Sequence, residues 1–170
     1  MPPPTEVWQR GPVPGFDPYV MPVAHSLLQV KEDLQRLSSE VPDARVWLRV
    51  NGAASIGFHV RHIARSTDRL LTYARGETLT ADQVALARSE ADAGAPLRTV
   101  VEEAYESLDR ALDQLRQTPR DALLTERLIG RAKLPSTTLG LLVHAAEHAT
   151  RHMGQAVTTA KLLASESGTS

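Results

Sequence analysis

Apolar residues recur three or four positions apart along most of this chain, and proline or glycine breaks the recurrence at a few points. Val20, Val23, Ala24, Leu27, Leu28, Val30, Leu34 and Leu37 share one helical face. Asp17-Pro18 supplies a cap followed by proline at a first helical position. The spacing predicts a first helix near 18–39 that stops before Pro42, with Pro22 early enough that its missing donor costs little. A connector with Val46, Trp47 and the turn signal Asn51-Gly52 follows. Ser55 caps a second predicted helix over 55–75, closed by Gly76, whose stripe is Ile56, Val60, Ile63, Leu70, Leu71 and Ala74.

Thr80-Ala81-Asp82-Gln83 matches a capping box for a short helix ending near Ala91. Gly94-Ala95-Pro96 breaks the chain, and Pro96 starts a third long helix. Val100, Val101, Ala104, Leu108, Ala111, Leu112 and Leu115 form its apolar face, and Pro119 ends it. A loop with Gly130 and Pro135 leads through Ser136-Thr137-Thr138 into a fourth long helix over 138–164, with 165–170 as a frayed tail.

Residues 1–16 contain Pro2, Pro3, Pro4, Pro12 and Pro14 besides Gly11 and Gly15, a composition that excludes a helix and predicts an extended arm pinned by Trp8 and Phe16. Aromatic and β-branched residues are too sparse, and alternation too short, to support a sheet. The expected fold class is all-α: an up-and-down-type four-helix bundle with a long connection before the last helix, forming one domain over 1–170.

Composition narrows the chemistry. The chain has no cysteine, which excludes disulfides, thiolate-bound metal and a protein thiol nucleophile, so any thiol chemistry would use a thiol of the substrate. A formal net charge of -1 lacks the electrostatic footprint of a nucleic-acid binder. No apolar run approaches the ~20 residues that span a bilayer. The first residues carry no charged and apolar leader regions, so the expected location is the cytoplasm, with no membrane or nucleic-acid partner.

Five of the six histidines fall in two short stretches, Gly57-Phe58-His59-Val60-Arg61-His62 and His144-Ala145-Ala146-Glu147-His148-Ala149-Thr150-Arg151-His152. Histidines at i and i+4 lie on one helical face about 6 Å apart along the axis, which suits two ligands of one ion. A third histidine from a facing helix would complete a three-nitrogen site with open positions, as catalytic metal sites have. His144, His148 and His152 cannot all serve one ion, because eight residues of helix rise about 12 Å. At about 100° per residue, the apolar face of the last helix is centred among Leu142, Ala146, Ala149, Met153, Val157 and Ala160. On this wheel His152 lies nearest the stripe, His148 further off and His144 almost opposite, which favours the pair His148 and His152. The same exercise places His59 nearer the core stripe of the second helix than His62.

The stretch Ser55-Ile56-Gly57-Phe58-His59-Val60-Arg61-His62-Ile63-Ala64, with Thr67-Asp68-Arg69-Leu70-Leu71, resembles the second helix of the DinB-like superfamily. His148-Ala149-Thr150-Arg151-His152-Met153-Gly154-Gln155 resembles its last helix, and the resemblance covers essentially the whole chain. It implies a metal-binding four-helix bundle, often a homodimer, with one second-helix histidine and an i,i+4 pair from the last helix as ligands. Carried over, the ligands are His62, His148 and His152, since the family's histidine precedes an apolar-Ala step, here Ile63-Ala64. Periodicity prefers His59, which stays the alternative.

Related enzymes join low-molecular-weight thiols to electrophiles, and others are isomerases or hydrolases. The resemblance therefore implies a divalent ion (Zn, Ni, Fe or Mn), a small-molecule substrate and a thiol as candidate co-substrate. His59, His25, Gln155 and Thr159 are candidate pocket residues. Arg65, Arg69 or Arg151 could meet a carboxylate of the thiol, or simply form a solvated face.

Two rival readings use the same residues. A bundle with this site could be a non-enzymatic metal-binding or dimerising stress-response module. His144-Ala145-Ala146-Glu147-His148 also spells the H-x-x-E-H signature of inverted zinc peptidases, a reading that needs His144 and Glu147. No carboxylate stands out in the sequence as catalytic.

Overall fold

A computed structural model describes residues 5–166. Five helices form, α1 (Met21–Glu40), α2 (Ile56–Ala74), α3 (Ala81–Arg88), α4 (Leu97–Gln117) and α5 (Thr138–Glu166), with strands β1 (Glu126–Ile129) and β2 (Leu134–Thr137) before α5. The four long helices make the expected bundle, and their apolar faces meet in one core that includes Leu27, Leu34, Ile63, Leu108, Leu142 and Met153. Among the described residues, no helix is long and apolar enough to cross a membrane.

Each of α1 and α2 packs against both α4 and α5. Cross-helix contacts fix the directions. Lys31 pairs with Asp109, whereas Asp43, just past α1, caps the Leu97 amide, so α1 and α4 are antiparallel. The Ser107 hydroxyl donates to the Ala64 carbonyl at 2.7 Å and Gln114 to the Leu71 carbonyl at 3.1 Å, so α2 and α4 run parallel. His59 meets His152 while His62 meets His148, so α2 and α5 are antiparallel. The long helices therefore run up, down, down, up: the bundle is the expected four-helix one, but α2 and α4 are parallel rather than alternating as an up-and-down order requires.

Because α2 and α4 are parallel, the segment 75–96 must travel back along the bundle before α4 can begin. α3 lies on this return path, opened by a capping box between Thr80 and Gln83. Three arginines of α2 hold the path in place. Arg69 pairs with Glu90, Arg65 donates to the Leu86 carbonyl, and Arg61 donates to the carbonyls of Ser89 and Asp92. The return path thus lies along a flank of α2 that a short connection would have left to solvent.

Several boundaries differ from the sequence expectation. The first helix starts at Met21 rather than 18, because the Asp17 side chain accepts from the Tyr19 amide and its carbonyl from the Val20 amide, making a separate turn. The short helix ends at Arg88, three residues early. The last helix runs through Glu166, so 165 and 166 are helical rather than frayed, and 167–170 lie outside the described residues.

The N-terminal arm is not wholly extended. Residues 1–4 lie outside the described residues, and the proline-free Val7–Arg10 forms a 3-10 turn boxed by Glu6 and Gln9. Phe16 is buried as expected, but Trp8 is 61% exposed and Val7 takes its place as the anchor. A sheet was not expected, yet β1 and β2 pair as a hairpin with Ile129 opposite Leu134. Four residues per strand are too few to raise the composition or alternation of the chain, and the turn places Gly130 and Lys133 at positive φ.

Candidate functional site

The site lies where α2 crosses α5. Ser55 caps α2 by accepting from the Phe58 amide, which starts the helix about one turn before His59 and nearly two before His62. One ring nitrogen from each of His62, His148 and His152 falls within 4.8 Å of the others. His62 Nε2 and His148 Nε2 are 2.8 Å apart, and the His152 ring centre is 4.3 Å from that of His62 and 4.6 Å from that of His148. Nitrogens bound 2.0–2.1 Å from a common ion lie roughly 3–4 Å apart. The three imidazoles therefore need only small adjustments to close on a divalent cation.

Neighbouring groups hold two of the three rings. His62 Nδ1 lies 2.6 Å from Glu90 Oε2, and the other Glu90 oxygen accepts from Arg69 at 2.7 Å. Phe58 stacks on His62 with ring centres 5.4 Å apart and planes 15° from parallel. His152 Nδ1 lies 3.0 Å from Nδ1 of the buried His59. His148 Nδ1 is buried without a hydrogen-bond partner among the described residues.

Burial tunes His59, His148 and His152 toward neutral nitrogen donors. It lowers His59 and His152 from the ordinary 6.5 to about 4, helped by the charge of His62 when that ring is protonated. The same two causes lower His148. Neutral imidazoles offer lone pairs to a cation, which imidazolium cannot. For Glu90 burial acts upward, but the hydrogen bonds from His62 and Arg69 prevail and hold the carboxyl below its usual range.

The histidines that the sequence singled out do not all converge. His144 stays outside the cluster with a 52% exposed side chain, and its neighbour Glu147 pairs with Arg151 on the surface. The H-x-x-E-H arrangement therefore has neither its inward first histidine nor a free glutamate. His25 is on α1, where Nε2 meets the Gly11 carbonyl at 3.1 Å and ties down the N-terminal arm. Gln155 is exposed about one turn beyond His152, and Thr159 is buried about two turns beyond it. Arg65 is taken by Glu103, Arg69 by Glu90 and Arg151 by Glu147, so these guanidiniums already have partners within the chain.

Glu90 is the residue that sequence reading missed. It lies 28 residues from His62, in the return path after α3, and no spacing rule connects them. The one available signal was chemical: a ligating histidine needs an acceptor for its second nitrogen. That criterion admits Asp82, Glu90 and Asp92 alike.

A family model described as the DinB superfamily matches residues 26–156. The chain belongs to the DinB superfamily. The matched span takes in α2, α4 and all three clustered histidines. Solved structures of similar fold include a conserved protein from Enterococcus faecalis, with TM-score 0.69, 18% identity, and coverage of 84% of this chain and 95% of that one. Another is a candidate DinB-family member from Exiguobacterium sibiricum, with TM-score 0.68, 17% identity, and coverage of 88% and 94%. A third is YfiT from Bacillus subtilis, described as a probable metal-dependent hydrolase with an unusual four-helix bundle topology, with TM-score 0.66, 16% identity, and coverage of 84% and 86%. At these identities the likeness is one of fold. A search of curated proteins finds no match.

Proposed function

We propose that this DinB-superfamily chain is a metal-dependent enzyme acting on a small molecule, with His62, His148 and His152 as ligands of one divalent ion. The observation that carries the reading is the meeting of three imidazoles from two helices, one with its second nitrogen already on a carboxylate. Three imidazoles suit Zn, Ni, Fe or Mn and leave positions open for a reactant. When bound, such an ion supplies Lewis acidity and lowers the pKa of a nucleophile beside it.

The chain's own residues supply placement. Phe58 and Glu90 fix the His62 ring from two sides, and His59 does the same for His152. Glu90 is shared between His62 and Arg69, so it orients a ring and is not free to carry protons. Likeness in fold to YfiT, described as a probable metal-dependent hydrolase, favours water as the nucleophile. Transfer of a low-molecular-weight thiol would use the same ligands, and in a chain without cysteine the thiolate must come from the co-substrate. A homodimer is part of this proposal and is read by light scattering.

Metal analysis of untagged protein tests the reading, followed by two assays on the loaded enzyme. One follows hydrolysis of model esters and amides, and the other follows loss of free thiol in the presence of electrophiles. Near-stoichiometric metal with activity in either assay supports an enzyme and identifies the nucleophile. Metal without activity in both favours the non-enzymatic metal-binding module. No metal after reconstitution with several divalent ions overturns the proposal.

A further inference from the structure

We propose that Glu90, delivered by the return path between α2 and α4, is a positioning residue that keeps the proton of His62 on Nδ1 and so presents Nε2 as a ligand. The inference rests on the three-histidine reading above and adds a residue outside the helices that carry the ligands. His62 Nδ1 is 2.6 Å from Glu90 Oε2, and an ionised carboxylate only accepts, so the proton on that contact belongs to Nδ1. The neutral ring then has its lone pair on Nε2, the atom that faces His148.

Glu90 is itself held so that it cannot turn away. Its side chain is 7% exposed, and Arg69 takes its second oxygen. Arg61 and Arg65 fasten the backbone on either side, through the carbonyls of Asp92, Ser89 and Leu86. One α2 flank therefore carries both the ligand and the three clamps that bring its carboxylate to it. Outer contacts of this kind change metal affinity by about 10–100-fold when removed. Glutamine is a discriminating replacement: its single oxygen can satisfy His62 or Arg69 but not both, and its amide then opposes a second donor.

The test uses full-length protein and two readouts. In metal-free protein at pH 8, 15N NMR of the imidazoles should show His62 with a protonated Nδ1 and an unprotonated Nε2. Any other pattern overturns the inference. Zinc affinity, measured by competition with a chromophoric chelator, should fall about 10–100-fold in Glu90→Ala and less in Glu90→Gln. Glu147→Gln, which changes an exposed carboxylate on α5, should leave it unchanged. Circular dichroism establishes that the variants are folded, and the Glu90→Gln spectrum guards against collapse of Glu90→Ala. If wild-type protein binds zinc and both Glu90 variants bind it equally well, Glu90 has no such role. If wild-type protein binds no zinc, the ligand reading fails, and the NMR result judges the tautomer by itself.

Discussion

His62 on α2 and His148 on α5 meet Nε2 to Nε2 at 2.8 Å, 86 residues apart in sequence. Two neutral imidazoles can make that contact only if one donates, whereas two ligands of one ion would both turn lone pairs toward it. With Glu90 on His62 Nδ1, the donor of the pair is His148, and its other nitrogen has no hydrogen-bond partner among the described residues.

Single alanine substitutions at His62, His148 or His152 should each abolish near-stoichiometric metal binding, read by mass spectrometry of purified protein. His144→Ala should retain the metal, because that side chain lies outside the cluster and is largely exposed. Loss of metal on removing His144 would instead revive the H-x-x-E-H reading.

His59 faces His152 rather than the common point of the three other rings. His59→Gln should therefore keep one ion per chain while weakening its binding about tenfold, as loss of an outer partner does. Complete loss of metal would make His59 a ligand.

Acid should destabilise the metal-free protein in a defined window. His59 and His152 titrate near 4 in the folded chain against an ordinary 6.5. Between those values the unfolded chain binds more protons, so stability is full above about 6.5 and declines as pH falls toward about 4. Chelator-treated protein should show a lower urea midpoint at pH 5 than at pH 7.5, and a His59→Gln/His152→Gln variant should show a smaller difference. An equal difference in the variant would place the acid sensitivity elsewhere.

Gly57 sits under the Trp47 ring, and a Cβ there would come within 2.8 Å of three ring carbons. The indole cannot easily retreat, since its Nε1 donates to the Ala95 carbonyl at 2.7 Å and Arg61 covers its face at 4.6 Å. Gly57→Ala should cost about 1–3 kcal/mol of stability, measured by urea unfolding, as overpacking of a filled interior does.

The choice between His59 and His62 shows how far periodicity reaches. The wheel ranked His59 as the inward residue, and His59 is indeed the more buried of the two, at 6%. A hydropathy wheel finds the face that meets the core, whereas α2 is flanked by α4, α5 and the return path together. His62 lies off the apolar stripe because it faces a polar seam against α5 and Glu90, which a hydropathy wheel does not register.

Spacing by itself determined the four long helices, the cap of α2 at Ser55, the cap of the short α3 at Thr80, and the pairing of His148 with His152 on one face. Those features depend on neighbours within a few residues, where 3.6-residue geometry leaves little freedom. The helix directions, the hairpin before α5 and the approach of Glu90 to His62 came only with the tertiary structure. Each is a meeting of segments distant in sequence. Parallel α2 and α4 require a return path, and that path carries Glu90 to a ring 28 residues away.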